Sequence, residues 1–241
     1  MINKRKFLAG IFFVLMLITN TMNAQNTAPN QTLDVQQQSV VTISALTAVG
    51  NIEGLKRQLN IGLEAGLTIN EIKEVLVQLY AYCGFPRSLN AINAFMAVLE
   101  ERKANGINDI QGRETSAIDN TVNKYTAGKQ NLQKLTGIEE KELKGANAFA
   151  PAIDAFLKEH LFADIFNRDV LTFQQRELTT VAALASITGV EPQLQAHIGM
   201  GMNTGLTKTQ LVQAFDLIEK HIGTEQALLA KETLSKVIAA R

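Results

Sequence analysis

Hydrophobic positions in residues 171–207 recur at the spacing of α-helices. Thr172 precedes the first run and Gln175 follows three residues later, the arrangement of a capping box at a helix start. Pro192 suits the first turn of a second helix, and Gly205 suits its end. The pattern predicts two consecutive helices. The apolar positions of the first helix are Leu178, Val181, Ala182 and Ala185.

The same pattern occurs earlier in the chain. Leu33 aligns with Leu171, and the Gly-Leu-Thr triplet at 66–68 aligns with the triplet at 205–207. The chain is therefore an internal duplication. Alternation with a period of two residues, typical of strands, is not sustained anywhere. We expect an all-α fold of two tandem helical repeats.

The repeats have defined boundaries in this interpretation. The first repeat spans residues 33–102, and the second spans residues 150–241. Residues 103–149 are expected to be a polar linker that contains a short helix, because glycine and polar residues dominate its start. Phe85-Pro86 is expected to interrupt the first repeat, with a helix resuming at residue 90, because the residue before proline disfavours the helical region.

The N-terminus has the pattern of a targeting segment. A basic cluster at residues 4–6 precedes a short apolar run at residues 7–18, and Ala24 offers a cleavage position. We expect residues 1–24 to be a signal peptide and residues 25–32 a disordered leader. The protein would then be exported, periplasmic or secreted, with no membrane attachment after cleavage. Its single cysteine, Cys83, cannot form an internal disulfide.

Charge and composition narrow the ligand classes. The 23 basic residues balance the 23 acidic residues, which argues against a nucleic-acid partner. The three histidines, His160, His197 and His221, lack the spacing of metal ligands. No glycine-rich phosphate loop follows a strand. We therefore expect a small-molecule substrate and neither a metal nor a cofactor.

Glu177 and His197 are the strongest candidates for chemistry. Glu177 falls within the apolar arc of its helix, whereas its neighbour Arg176 is expected to point away from it. His197 lies on the flank of the next helix. Packed as an antiparallel pair, the helices would bring the carboxylate and the imidazole together at a half-buried seam as a proton-transfer pair. The alternative is structural: a helix-start glutamate and a satisfied histidine.

The segment RELTTVAALASITGVEPQLQAHIGMGMNTGLT resembles the carboxymuconolactone decarboxylase family, which also holds the AhpD-type alkylhydroperoxidases. The matching features are the Arg-Glu-Leu opening, the alanine-rich helix, Leu-x-x-His and the final Gly-Leu-Thr. The resemblance implies an AhpD-like fold, a homo-oligomer, and cofactor-free decarboxylation of a small carboxylated lactone. His197 would be the general acid, Glu177 would orient it, and Arg176 would attract the substrate carboxylate.

Each repeat retains half of the family pattern. The first repeat has Gln38-Ser39 and Gln58 where the second has Arg176-Glu177 and His197. It keeps the segment YAYCGFPRSLNA, which resembles the Tyr-x-Gly-x-Pro turn of the family. We therefore predict a composite pocket at the interface of the repeats, with a wall shaped by Tyr82, Gly84, Phe85 and Pro86. The alternative is a pocket that belongs to the second repeat alone, with a purely structural turn in the first.

Two other functions remain open. In the peroxidase branch of the family, two cysteines stand seven and four residues before the histidine. Those positions hold Val190 and Gln193 in the second repeat, and Asn51 and Gly54 in the first. An AhpD-like peroxiredoxin-type activity would therefore lack its thiols. The partial loss of both half-patterns also fits a non-enzymatic helical scaffold.

Overall fold

A computed structural model describes residues 32–117 and 121–241, and within these ranges the chain is helical without β-strands. The predicted all-α fold of two tandem helical repeats is confirmed. The predicted signal peptide, and the leader as far as residue 31, lie outside the described residues. The described residues form one compact unit. None of the helices described is long and apolar enough to cross a membrane.

Four helices form the first repeat. Asp34 caps the first of them, accepting from the Gln37 backbone N–H while the Gln37 side chain accepts from the Asp34 N–H. Thr68 and Glu71 form the same capping box at the start of the third helix. These boxes satisfy N–H groups that a helix start leaves without partners. The helices are α1 (Val35–Val49), α2 (Ile52–Glu64), α3 (Ile69–Cys83) and α4 (Phe85–Ala104).

The second repeat has the same order of elements. Its first helix begins after the predicted capping box of Thr172 and Gln175, and its third after a box formed by Thr207 and Gln210. The four helices of each repeat therefore correspond one to one. They are α8 (Phe173–Leu184), α9 (Glu191–Asn203), α10 (Lys208–His221) and α11 (Thr224–Ala239).

The predicted linker, residues 103–149, contains two helices where one short helix was expected, and two further helical elements lie at the start of the predicted second repeat. After an irregular stretch come α5 (Lys124–Thr136), α6 (Gly145–Phe149) and α7 (Pro151–Ala155), and a π-helix (Phe156–Ile165) follows. Gly128 allows α5 to lie directly on the π-helix, since a Cβ there would stand 1.8 Å from the Lys158 carbonyl oxygen. Asn131 Nδ2 donates to the Phe162 carbonyl at 2.8 Å and joins the same two elements.

The fourth helix begins earlier than predicted. It starts at Phe85 rather than at residue 90, with Pro86 in its first turn. Proline is tolerated there because a first-turn N–H has no helical acceptor. The break falls instead on Gly84, whose φ of 86° is a left-handed value that glycine adopts without strain. The chain thus turns sharply between α3 and α4.

The repeats share their cores. One apolar cluster joins Val41 and Ala45 of α1 to the helices of the second repeat. A second cluster lies among α1–α4 and takes in Ala183 of α8 and Leu171, just before α8. Because α1 and α8 each contribute to both clusters, burial of apolar surface locks the repeats into one body. This packing brings α3 of the first repeat against α8 of the second.

Candidate functional site

The buried seam between α8 and α9 holds Glu177 and His197. His197 Nδ1 and Glu177 Oε2 are 2.8 Å apart. Glu177 is fully buried, and His197 keeps 7% of its surface exposed. Gly201, one turn after His197, also lies at this seam: a Cβ there would stand 2.9 Å from Leu206 Cδ1 and in ordinary contact, 3.7 Å, with the Glu177 Cβ. The structure therefore brings together the two residues predicted to form the pair.

This hydrogen bond orients the imidazole. A carboxylate can only accept, so an ionised Glu177 accepts the proton of His197 Nδ1 and leaves Nε2 as the ring nitrogen that can still donate or accept a hydrogen bond. Within the described chain, Nε2 makes no hydrogen bond, and the second Glu177 oxygen, Oε1, is buried without a partner. The pair thus retains hydrogen-bonding capacity that the described residues do not use.

Tyr82 brings the first repeat to this pair. Its ring meets the His197 ring in a T-shaped arrangement, with centroids 5.3 Å apart and planes at 84°. Burial, together with the charge of Glu177, raises the pKa of Tyr82 well above its ordinary value, so the phenol stays protonated. Its buried hydroxyl lies near Thr180, which accepts from Gln78, and makes no hydrogen bond of its own within the described residues.

The expectation that Arg176 points outward is wrong. Its side chain is fully buried, and its guanidinium donates to Gln78 Oε1 at 2.9 Å and Glu74 Oε2 at 3.1 Å. The reason is that the face of α8 opposite its own repeat is covered by α3. The helical period shows that Arg176 lies on the face of α8 opposite its apolar arc. It does not show whether a helix of the other repeat covers that face. The guanidinium is committed to protein groups, and only its Nε lacks a partner among the described residues.

Glu74 and Gln78 are functional-site neighbours that the sequence analysis missed. Glu74 accepts from Arg168 Nε at 2.9 Å as well as from Arg176. Burial alone would raise its pKa, but the two arginines outweigh burial and lower it. Gln78 Nε2 donates to the Arg176 carbonyl and to Thr180 Oγ1, both at 2.9 Å. The sequence spacing does indicate that these residues act together with Tyr82, because residues 74, 78 and 82 recur every four positions and therefore share one face of α3.

The turn after Tyr82 lies apart from the pair. Phe85 is exposed and stacks on Tyr80, with ring centroids 4.3 Å apart. Gly84, at the break before α4, and Pro86, in the first turn of α4, are exposed as well. Of the four residues predicted as pocket wall, the structure therefore places Tyr82 against His197, while the other three follow it at the surface.

Cys83 has the environment of an unreactive thiol. Its Sγ–H donates to the Leu79 carbonyl at 3.1 Å. Burial raises the pKa of the thiol, and the nearby Arg87 only partly opposes this. A raised pKa reduces the thiolate fraction, which is the nucleophilic form. Among the residues described, no group of three or more His, Cys, Asp or Glu side chains could hold a metal ion.

Comparison with known proteins identifies a matching family and a relative that resembles part of the chain. The model of the carboxymuconolactone decarboxylase family matches residues 15–97 and again residues 151–234, together more than half of the chain. A 66-residue segment is 33% identical to an uncharacterized protein of Methanocaldococcus jannaschii. That alignment covers 27% of this chain and 62% of the relative, less than two thirds of its length.

Proposed function

The chain belongs to the carboxymuconolactone decarboxylase family. On this basis we propose that it is an acid–base enzyme in which His197 transfers a proton and Glu177 positions the imidazole ring of His197. The observation that carries this proposal is the 2.8 Å hydrogen bond between His197 Nδ1 and Glu177 Oε2 at a buried seam. A carboxylate in this position sets the tautomer of the imidazole and stabilises its charged form.

The proposed reaction is decarboxylation of a small carboxylated lactone. The bond between the ring and the substrate carboxylate breaks, CO₂ leaves, and the electron pair delocalises into the unsaturated lactone and its carbonyl. His197 Nε2 then donates a proton to the ring carbon, forming the new C–H bond. The neutral imidazole regains a proton from solvent, so charge and atoms balance over one cycle.

Tyr82 fits the stabilisation of the anion formed in this step. The high pKa keeps its hydroxyl protonated, and that hydroxyl lies beside Thr180 without completing a hydrogen bond to any described residue. A donor left without a partner before the reaction can bind negative charge as it develops on the lactone oxygen. The proposed site is therefore composite, with Tyr82 from the first repeat and Glu177 and His197 from the second.

Arg176 takes a positioning role in this proposal. Its hydrogen bonds to Glu74 and Gln78 join α8 to α3, the helix that carries Tyr82. It would hold the two halves of the site in register, in place of the direct carboxylate contact inferred from the resemblance. The turn of Gly84, Phe85 and Pro86 would form the outer wall beyond Tyr82.

The test is turnover of an unsaturated carboxylated lactone by the purified protein, measured as CO₂ release. His197→Ala should lower turnover about 1,000-fold, to a residual rate that can still be measured, while circular dichroism stays unchanged. His160→Ala is the matched control, because this exposed histidine pairs with Asp164 away from the seam and its loss should have no effect. Full activity in His197→Ala would overturn the assignment.

A non-enzymatic helical scaffold is the second candidate. It is favoured by the small exposed area of His197 and by the packing of Tyr82 against it. Lack of turnover across a panel of carboxylated lactones, with normal folding, would support the scaffold. Alkyl hydroperoxide belongs in the same panel as the test of peroxiredoxin-type activity, which the raised pKa of Cys83 disfavours.

We also propose that the protein is exported, to the periplasm or beyond, and that it forms a homo-oligomer. Export rests on the basic and apolar pattern of residues 4–18. Oligomerisation rests on the family resemblance and on exposed apolar side chains along one face of α4, namely Phe85, Leu89 and Met96.

A further inference from the structure

The duplication gives the composite site a counterpart. We call the α3–α8–α9 region around Glu177 and His197 the first seam, and the equivalent α10–α1–α2 region the second seam. In the alignment of the repeats, Ser39 takes the place of Glu177 and Gln58 that of His197. The remaining equivalences are His221 for Tyr82, Gln38 for Arg176, Thr42 for Thr180 and Leu217 for Gln78.

All six second-seam residues line one cavity. It has a volume of about 490 Å³ and opens at the protein surface between α1, α2 and α10. This volume falls within the range of small-molecule sites, roughly 300–1,000 Å³. The equivalence was derived from sequence alone, so the convergence of all six positions on one cavity is an independent geometric observation.

Side-chain size explains why this seam is open. In the first seam Arg176 and Gln78 bond across the helices, and Tyr82 packs onto His197. Phe162 and Phe166 belong to the cluster that packs around Tyr82. The second seam has shorter or apolar groups at the equivalent positions, and these leave space between the same backbone elements.

The polar groups of the cavity are suited to an anion. The Thr42 hydroxyl lies 3.1 Å from Gln58 Oε1 and within 3.2 Å of the Gln38 and Ser39 carbonyls, and the Nε2 of Gln58 makes no hydrogen bond within the described residues. Lys220 supplies a positive charge at the rim and forms no ion pair with any described residue. Burial and the neighbouring Lys220 lower the pKa of His221, so at neutral pH its ring is uncharged and offers one N–H donor.

The rest of the lining is compatible with this class of ligand. Glu64, the acidic residue of the lining, is exposed to solvent and lies 3.6 Å from Arg102, which also pairs with Asp109 at 2.9 Å. Val35, Ile61 and Leu217 supply apolar wall. A ligand that suits both the polar groups and the apolar wall of the cavity has one carboxylate and a compact apolar body.

We propose that the second seam is a binding site for a small apolar monocarboxylate, with Lys220, His221 and Gln58 as the groups that hold the carboxylate. Ser39 and Gln58 stand where the acid–base pair stands in the first seam, so this site binds its ligand without turnover. The proposal is independent of the activity proposed for the first seam, because it uses none of the same side chains.

Calorimetric titration with benzoate tests the proposal, and benzamide serves as the uncharged analogue. The chain should bind one benzoate with a Kd of about 1 mM or tighter. Lys220→Ala should weaken binding about tenfold, as expected for loss of a charge-assisted contact. Ile61→Asp, at an exposed wall position, should abolish binding by repulsion. Lys208→Ala removes the same charge from the exposed start of α10 and is the matched control.

The double variant Glu177→Gln, His197→Ala locates the ligand. Binding that survives in this variant and is lost in Ile61→Asp supports the second seam. Binding lost in the double variant but retained in Ile61→Asp places benzoate in the first seam and overturns the proposal. It is equally overturned by equal affinity for benzamide, or by no binding up to roughly 10 mM benzoate. Circular dichroism confirms that each variant is folded.

Discussion

The rings of Tyr82 and His197 meet in a T-shaped arrangement, 5.3 Å apart, although the residues belong to different repeats. This contact joins the half of the family pattern kept by the first repeat to the half kept by the second. Tyr82 therefore stands beside the Glu177–His197 hydrogen bond. Replacing it with phenylalanine removes only the hydroxyl group, so the role of that hydroxyl can be tested without changing Glu177 or His197.

Tyr82→Phe should lower kcat about 100-fold on a carboxylated lactone, as found when one oxyanion donor is removed. Stability should hardly change, because the lost hydroxyl has no partner among the described residues. Steady-state kinetics and thermal melting measure the two effects. Tyr80→Phe, at the neighbouring tyrosine that stacks on Phe85, is the control and should keep its kcat. An unchanged kcat in Tyr82→Phe would leave the tyrosine as packing alone.

Glu177→Gln and His197→Ala should not be additive. If Glu177 acts only through the imidazole, the double variant should be no slower than His197→Ala, because the carboxylate then has nothing to position. The measurement is a double-mutant cycle on kcat/KM. Independent, multiplicative losses would show that Glu177 contacts the substrate itself.

Glu74→Gln should destabilise the fold by about 3 kcal/mol, because it leaves the buried Arg176 charge without its carboxylate. Chemical denaturation at pH 7 measures this. Glu53→Gln, which breaks an exposed pair with Lys56, is the control and should cost less than about 1 kcal/mol.

The Glu74 effect should also depend on pH. Folding lowers the pKa of this carboxyl below its ordinary value of 4.5, so its contribution is complete above that value and is lost as the pH falls through the lowered pKa. The difference in unfolding free energy between the native protein and Glu74→Gln should therefore shrink below pH 4.5. A difference that stays constant into strong acid would contradict the assigned ion pair.

Gly128→Ala should cost about 3 kcal/mol, because the new methyl would overlap the Lys158 carbonyl and push α5 off the π-helix. Gly199→Ala is the matched control, since its Cβ meets nothing within 4 Å inside α9. That change should be neutral or stabilise by up to about 1 kcal/mol, because alanine favours helices. Thermal unfolding compares the two, and equal losses would mean that α5 does not rest on the π-helix.

The proposed oligomer is tested by light scattering on the protein without residues 1–24. A mass that is a multiple of the chain mass is expected at micromolar concentration. Leu89→Lys, on the exposed apolar face of α4, should shift the mass toward the monomer, whereas Leu228→Lys changes an exposed leucine on α11 as a control. A monomer at all concentrations would remove the basis for the proposal.

Short sequence patterns were sufficient to predict much of this fold. The helix starts at Thr172 and Thr207 follow from capping chemistry within four residues. The pairing of Glu177 with His197 follows from helical periodicity, because a period of 3.6 residues assigns each side chain to a face and two successive helices pack along their shared apolar faces. The duplication is likewise visible as sequence similarity between the repeats.

Only the tertiary structure decided what lies across the repeats. Arg176 is buried because Glu74 and Gln78, 102 and 98 residues earlier, cover the face of α8 that seemed free. The open second seam depends on which side chains from α1, α2 and α10 fail to fill a shared space. Periodicity reports the environment of a residue along its own helix, whereas these features depend on volumes and partners supplied by distant segments, which only packing brings together.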